Sequence, residues 1–244
     1  MNRLNIELED LNYDMEEEFK TLRTNLMFCG VDKKVILITS TFPGEGKTEK
    51  SVYLSAALAK MNKKVLLLDM DLRKSVLVSR FEMGKVQYGM SHFLSGQCPL
   101  SDVICATNVP KLHVAVAGPS TPNTTELLAS EKFHKMLESL KDVYDYIIID
   151  SAPLGLVIDA AIIAKECDGA VLVIESGKTK YRLVQEVKAK IENSGCPVLG
   201  AVLSKVEVAK ADIMAKSIGN ITVIMNRRGA RGCVQSHSLF LKKK

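Results

Sequence analysis

Residues 35–48 read VILITSTFPGEGKT: an apolar, largely β-branched run, a glycine-bearing turn, then Gly46-Lys47-Thr48. Branched apolar residues in succession, without polar alternation, mark a strand buried on both faces, as in a parallel sheet. The alanine-rich stretch 50–61 reads as an amphipathic helix, so the turn joins a strand to a helix N-terminus. There, backbone N–H groups converge on an anion and Lys47 adds charge for β- and γ-phosphates. Thr48 offers a hydroxyl to a phosphate-bound Mg²⁺. Thr41 stands where the phosphate-loop pattern GxxxxGK(S/T) has its first glycine. The plain alternative is an ordinary strand–helix turn, and the flanking elements weigh against it. The stretch predicts a nucleoside triphosphate site made from Pro43, Gly44, Glu45, Gly46, Lys47 and Thr48.

A chain of 244 residues, 47% of them hydrophobic, can fill one large α/β core. Its longest apolar runs are strand-sized, so no membrane span of its own is expected. The acidic, polar N-terminus predicts no targeting peptide. Six cysteines lie scattered without CxxC pairing and four histidines lack ligand spacing, which predicts reduced buried thiols in a cytoplasmic protein. The net charge of +5 comes from the end of the chain. Residues 220–244 hold three arginines, three lysines and no acid, so the first 219 residues sum to −1. That body charge makes no case for nucleic-acid binding.

Strand-like runs fall at 34–40, 64–69, 112–117, 146–150, 170–175 and 198–203, with helical patterns at 13–28, 47–61, 125–140, 158–166 and 181–194. This alternation predicts an α/β fold, a doubly wound, mostly parallel sheet of P-loop type, with ligands at the edge where strands end. Residues 75–112 are less regular and read as a short helical excursion over that edge. The expected organisation is an N-terminal helical region (1–30), a P-loop domain (31–208) and a basic tail (209–244) without order.

Two strands end in carboxylates. Tyr146-Ile-Ile-Ile-Asp150-Ser-Ala-Pro153 has the form of a Walker B strand, its aspartate placed to reach Mg²⁺ with Thr48. Leu66-Leu-Leu-Asp69-Met-Asp71-Leu-Arg73 puts two aspartates on one side of an extended chain, able to share metal or accept a proton from an attacking hydroxyl. Arg73 and Lys74 could neutralise phosphate charge. A capped turn with solvated basic residues is the structural alternative.

Together PGEGKT, LLLDMDLR and IIIDSAP resemble, in this order, the Walker A, A′ and B motifs of bacterial tyrosine kinases (BY-kinases) of capsule and exopolysaccharide synthesis. Pro122-Asn-Thr-Thr-Glu126 is similar to the family as well, and the resemblance runs from about residue 16 to 205. It implies an ATP- and Mg²⁺-dependent protein-tyrosine kinase that phosphorylates its own copies in trans. Lys47, Asp69, Asp71 and Asp150 would be catalytic, with Thr48, Asp71 and Asp150 at the metal. Arg73 would lie at the phosphates, and Ser204 stands near the adenine where relatives carry asparagine. The segment around Glu17, Lys20 and Arg23 resembles the family's ExxRxxR stretch, which joins subunits in a ring; Lys20 replaces its first arginine. From spacing alone, a solvated helix face explains those residues equally. The split form of the family implies recruitment to the inner face of the membrane by a membrane-anchored activator.

MinD/ParA-type ATPase switches share the fold and form the second hypothesis, a positioning protein without kinase activity. Their signature lysine five positions before the invariant one is replaced here by Phe42. The tail also departs from the kinase pattern, since no tyrosine follows Tyr181. Ile- and Met-rich residues 213–226 have neither strand nor helix periodicity, and shifted by one base they can encode a tyrosine cluster. A frameshifted tail and a divergent one both stand.

Overall fold

A computed structural model of the chain describes residues 2–206 and, as backbone, the strand at 222–225. In chain order the elements are β1 (Arg3–Leu4), α1 (Tyr13–Phe28), β2 (Val35–Ser40), α2 (Lys47–Ala59), β3 (Val65–Asp69), α3 (Leu77–Arg80), α4 (Met90–Leu94), β4 (Cys105–Thr107), β5 (Leu112–Ala115), α5 (Thr124–Leu128), α6 (Glu131–Lys141), β6 (Tyr146–Asp150), α7 (Asp159–Ala164), β7 (Gly169–Glu175), α8 (Tyr181–Asn193), β8 (Val198–Ser204) and β9 (Thr222–Met225). The strands form one sheet in the order β1-β4-β5-β3-β6-β2-β7-β8-β9. All pairings are parallel except β4 with β5 and β8 with β9, which are antiparallel.

Period-two alternation distributes each strand between two cores. Val35, Leu37, Leu66, Leu68, Ile147 and Ile149 pack on one face against α6, α7 and α8. Ile36, Ile38, Val65, Leu67 and Ile148 pack on the other against α1 and α2. Phe133, Met136, Leu137 and Leu140, spaced for one helix face, are the buried stripe of α6. Truncating Phe133, which is fully buried, would cost about 3–5 kcal/mol.

Three expectations change. The helix foreseen at 125–140 is two, α5 and α6, because the Ser130 hydroxyl accepts the Phe133 N–H at 3.3 Å and starts a new helix. The P-loop helix α2 is not amphipathic: all its residues but Glu49 are buried, because Phe19, Leu22 and Leu26 of α1 cover its outer side. The aliphatic segment thought to lack strand character does form a strand, since β9 pairs antiparallel with β8, Met225 opposite Gly200 and Thr222 opposite Leu203. The rest of the tail expectation, disorder and a shifted frame included, lies outside the described residues. The irregular 75–112 stretch contains α3, α4, a 3-10 turn (Leu100–Asp102) and β4.

Candidate active site

The central parallel strands β3, β6 and β2 point their C-terminal ends at one edge, and the residues singled out from sequence gather there. Register does much of this. Asp69 and Asp150 are directly opposed partners on β3 and β6, while Ile38 lies opposite Asp150 on the other side. Between β2 and α2, Gly44 and Gly46 take φ of 79° and 88°, left-handed values that curl the loop around its own N–H groups. Gly46 caps α2, so the helix N-terminus faces the same space.

Lys47 Nζ lies 3.3 Å from Asp71 Oδ2, 3.4 Å from Thr48 Oγ1 and 3.9 Å from Asp150 Oδ1. All four side chains are buried. The Ser51 hydroxyl approaches Asp150 Oδ1 at 3.4 Å. Asp69 is deeper and fully enclosed. It accepts from the Ser75 hydroxyl and, at 3.3 Å, from the Asp71 N–H. Burial first, then Asp150 and Asp71, push the Asp69 carboxyl up to about 7; Asp150 is raised too, by burial, against the pull of Lys47. Asp71 and Asp150 thus share one lysine, with the enclosed Asp69 beside them, a cluster short of positive charge.

That shortage suits Mg²⁺. Among the described residues no three His, Cys, Asp or Glu side chains converge as a complete metal cage. Mg²⁺ ordinarily takes one or two carboxylates and completes its shell with phosphate oxygens and water. Thr48, Asp71 and Asp150 beside an anion-binding loop fit that pattern.

Two further predicted ligands have partners within the protein. Arg73 turns from the loop and grips Asp159 at the start of α7, Nε to Oδ2 at 2.6 Å and Nη2 to Oδ1 at 2.9 Å, with Thr125 Oγ1 at 3.3 Å. Its guanidinium ties the turn after β3 to α7 and α5. Ser204 is buried behind the P-loop, and its hydroxyl donates to the Glu45 carbonyl at 2.7 Å. Glu45 points inward as well: its carboxylate accepts from Phe42 N at 2.8 Å, from Glu175 N at 3.3 Å and from the Thr179 hydroxyl. Loop, β7 and β8 are thereby tied together. Pro43, Gly44 and Gly46 shape the loop through backbone.

Asp159, Ser75, Ser51 and Thr179 escaped sequence reading, since nothing in their spacing reveals partners up to 134 residues away. On α1, Glu17 and Lys20 pair with each other at 2.6 Å, while Arg23 Nη1 donates to the Ala57 carbonyl of α2 at 3.1 Å. Arg23 is therefore an internal support for the P-loop helix.

Residues 33–193 match the AAA domain family model. The chain is 45% identical over 196 residues to the tyrosine-protein kinase CpsD of Streptococcus agalactiae, spanning 80% of this chain and 86% of that one. Among solved structures, the chimerical protein CapA2B2 is similar with TM-score 0.76 and 30% identity, covering 84% of this chain and 94% of that one. The kinase domain of the Escherichia coli tyrosine kinase ETK is similar with TM-score 0.73 and 31% identity, covering 77% of this chain and 74% of that chain.

Proposed function

The chain belongs to the bacterial tyrosine kinases of P-loop fold, and from that premise we propose how its site transfers phosphate from ATP to protein tyrosines. The observation that carries the reading is the convergence of Lys47, Asp71 and Asp150 within 3.9 Å at the mouth of the phosphate loop. Phosphoryl transfer asks a protein for positioning and charge stabilisation above all.

The N–H groups of 44–48 and the Lys47 ammonium hold the β- and γ-phosphates in line with the acceptor. Thr48, Asp71 and Asp150 would hold Mg²⁺, which when bound would neutralise phosphate charge. Asp71 keeps a small exposed surface while Asp69 has none, so Asp71 Oδ2 takes the tyrosine hydroxyl proton. The phenolic oxygen bonds to the γ-phosphorus as the bond to the β–γ bridging oxygen breaks, and ADP leaves. Asp69 orients Asp71 through its N–H.

The acceptors include tyrosines on other copies of this chain, and the activity regulates capsule or exopolysaccharide synthesis. Among the described residues no helix is long and apolar enough to cross a membrane. A membrane-anchored activator supplies recruitment to the inner face of the membrane, and subunits associate through the Glu17–Lys20 face of α1. The purified chain with its activator fragment, ATP, Mg²⁺ and a tyrosine-containing copolymer should make phosphotyrosine, and Lys47→Met should not. ATP hydrolysis without any phosphotyrosine would replace this reading with the ATPase switch.

A further inference from the structure

We propose that the edge of the sheet opposite the nucleotide site docks directly on an anionic lipid surface. Four loops, 29–34, 60–64, 108–111 and 141–145, feed the N-terminal ends of β2, β3, β5 and β6, which are neighbours in the sheet. They touch one another in series. Lys111 Nζ donates to the Asn62 carbonyl at 3.2 Å, the Lys64 N–H to Asp145 Oδ2 at 2.7 Å, and Lys34 Nζ to the Lys141 carbonyl at 3.0 Å. The result is one continuous surface.

These loops hold seven lysines against three aspartates, although the first 219 residues together sum to −1. With loop 165–168, which feeds the neighbouring β7 and brings Lys165, Glu166 and Asp168, the edge still nets +3, and the remainder of that stretch is negative by about the same amount. Two of the three aspartates in the first four loops are already engaged, Asp145 with the Lys64 N–H and Asp32 with Lys33 at 2.9 Å. Out of the same surface stand three aliphatic side chains, one on each of three adjacent loops. Val31 is 96% exposed, Val143 47% and Met61 39%.

Apolar tips within a field of lysines match the two layers of a bilayer interface. Aliphatic groups enter the acyl boundary while ammonium groups meet lipid phosphates, each lysine adding a comparable increment. The tips rise from three separate loops, which suits a yielding fluid surface better than a shaped acidic protein. Docked in this way, the chain turns its parallel strands along the membrane normal. The catalytic edge then faces away from the lipid, roughly 20 Å off by strand length, open to protein tyrosines.

The test is co-sedimentation of the full chain with vesicles of phosphatidylcholine alone or with one-third phosphatidylglycerol. Wild type should sediment with the anionic vesicles only, and less at high salt. Val31→Asp with Val143→Asp, and separately Lys60→Glu with Lys63→Glu, should each lower anionic partition about tenfold or more, with phosphotyrosine formation unchanged. Arg227→Gln with Arg228→Gln and Arg231→Gln, in the basic tail, should lower it less than either loop pair. The proposal is overturned if wild type ignores anionic vesicles or if both loop pairs bind like wild type. Loss confined to the tail variant overturns it in favour of the tail. Retention of the chain on poly-glutamate without vesicle binding overturns it in favour of an acidic protein partner.

Discussion

Arg73 and Asp159 are joined by two parallel hydrogen bonds of 2.6 and 2.9 Å across 86 residues of sequence, with the Asp159 side chain wholly buried. The planar fork makes the loop after β3 and the start of α7 one body. Arg73→Ala leaves a buried carboxylate without its partner and should cost about 2 kcal/mol, a discounted figure because the guanidinium is partly in water. Arg73→Lys, which keeps charge but not the fork, should recover less than half of that loss. Urea unfolding of both variants measures it, and equal stability of the lysine variant and wild type would refute the bidentate account.

Asp71→Asn and Asp150→Asn should each lower phosphotyrosine formation by about two or more orders of magnitude. Each removes charge at a point 3.3 or 3.9 Å from Lys47 Nζ while keeping shape. Binding of a fluorescent ATP analogue should survive in both. Near-normal turnover would make the acidic cluster structural.

The Asp69 carboxyl, held up at about 7 against an ordinary 3.8, ties stability to pH. The folded chain keeps this proton more tightly than the unfolded chain. Its contribution is full below the ordinary value and fades as pH rises toward 7. In EDTA, wild type should therefore lose stability relative to Asp69→Asn between about pH 4 and 7. A constant gap between the two urea midpoints across that range contradicts the assignment.

Glu45→Gln replaces an acceptor that receives three donors with a group that presents an N–H₂ to them. The P-loop loses its tie to Glu175 and Thr179, so KM for ATP should rise about tenfold with kcat changed far less. Thr179→Val should reproduce part of the effect, and the double variant should be no worse than Glu45→Gln alone. Additive losses would show that the two residues act separately.

Gly155→Ala should be severe and Gly44→Ala mild. A Cβ at Gly155 would stand 2.1 Å from the Thr41 carbonyl oxygen, whereas one at Gly44 meets nothing within 4 Å and bears only the strain of its φ. The first should cost about 3 kcal/mol or more and weaken nucleotide binding by displacing the loop, the second about 1–2 kcal/mol. Thermal melts with and without ATP separate them.

The strands and acidic tips were legible because burial and strand ends write themselves locally. Val35–Ser40 and Tyr146–Asp150 need no distant partner to be recognised. The supports were not legible. The hold of Arg73 on Asp159 could not be read, because a basic residue after an acidic strand tip says nothing of a partner 86 residues away, and the donation of Ser204 to the Glu45 carbonyl is likewise a tertiary fact. β9 was missed for a similar reason: the short run Thr222–Met225 becomes a strand when β8 offers an edge. The summed charge of the body hid the excess of lysine over acid at one edge.

Asp69 and Asp150 share a rung of the β3–β6 ladder. The distance between these carboxylates is consequently set by counting residues along two strands, and side-chain identity within the strands matters little to it. A deletion of one residue between Lys64 and Asp69 would rotate that carboxylate to the far face, even with every motif letter retained. Strand length works here as a gauge, and the chemistry at the edge inherits its tolerance from hydrogen-bond register.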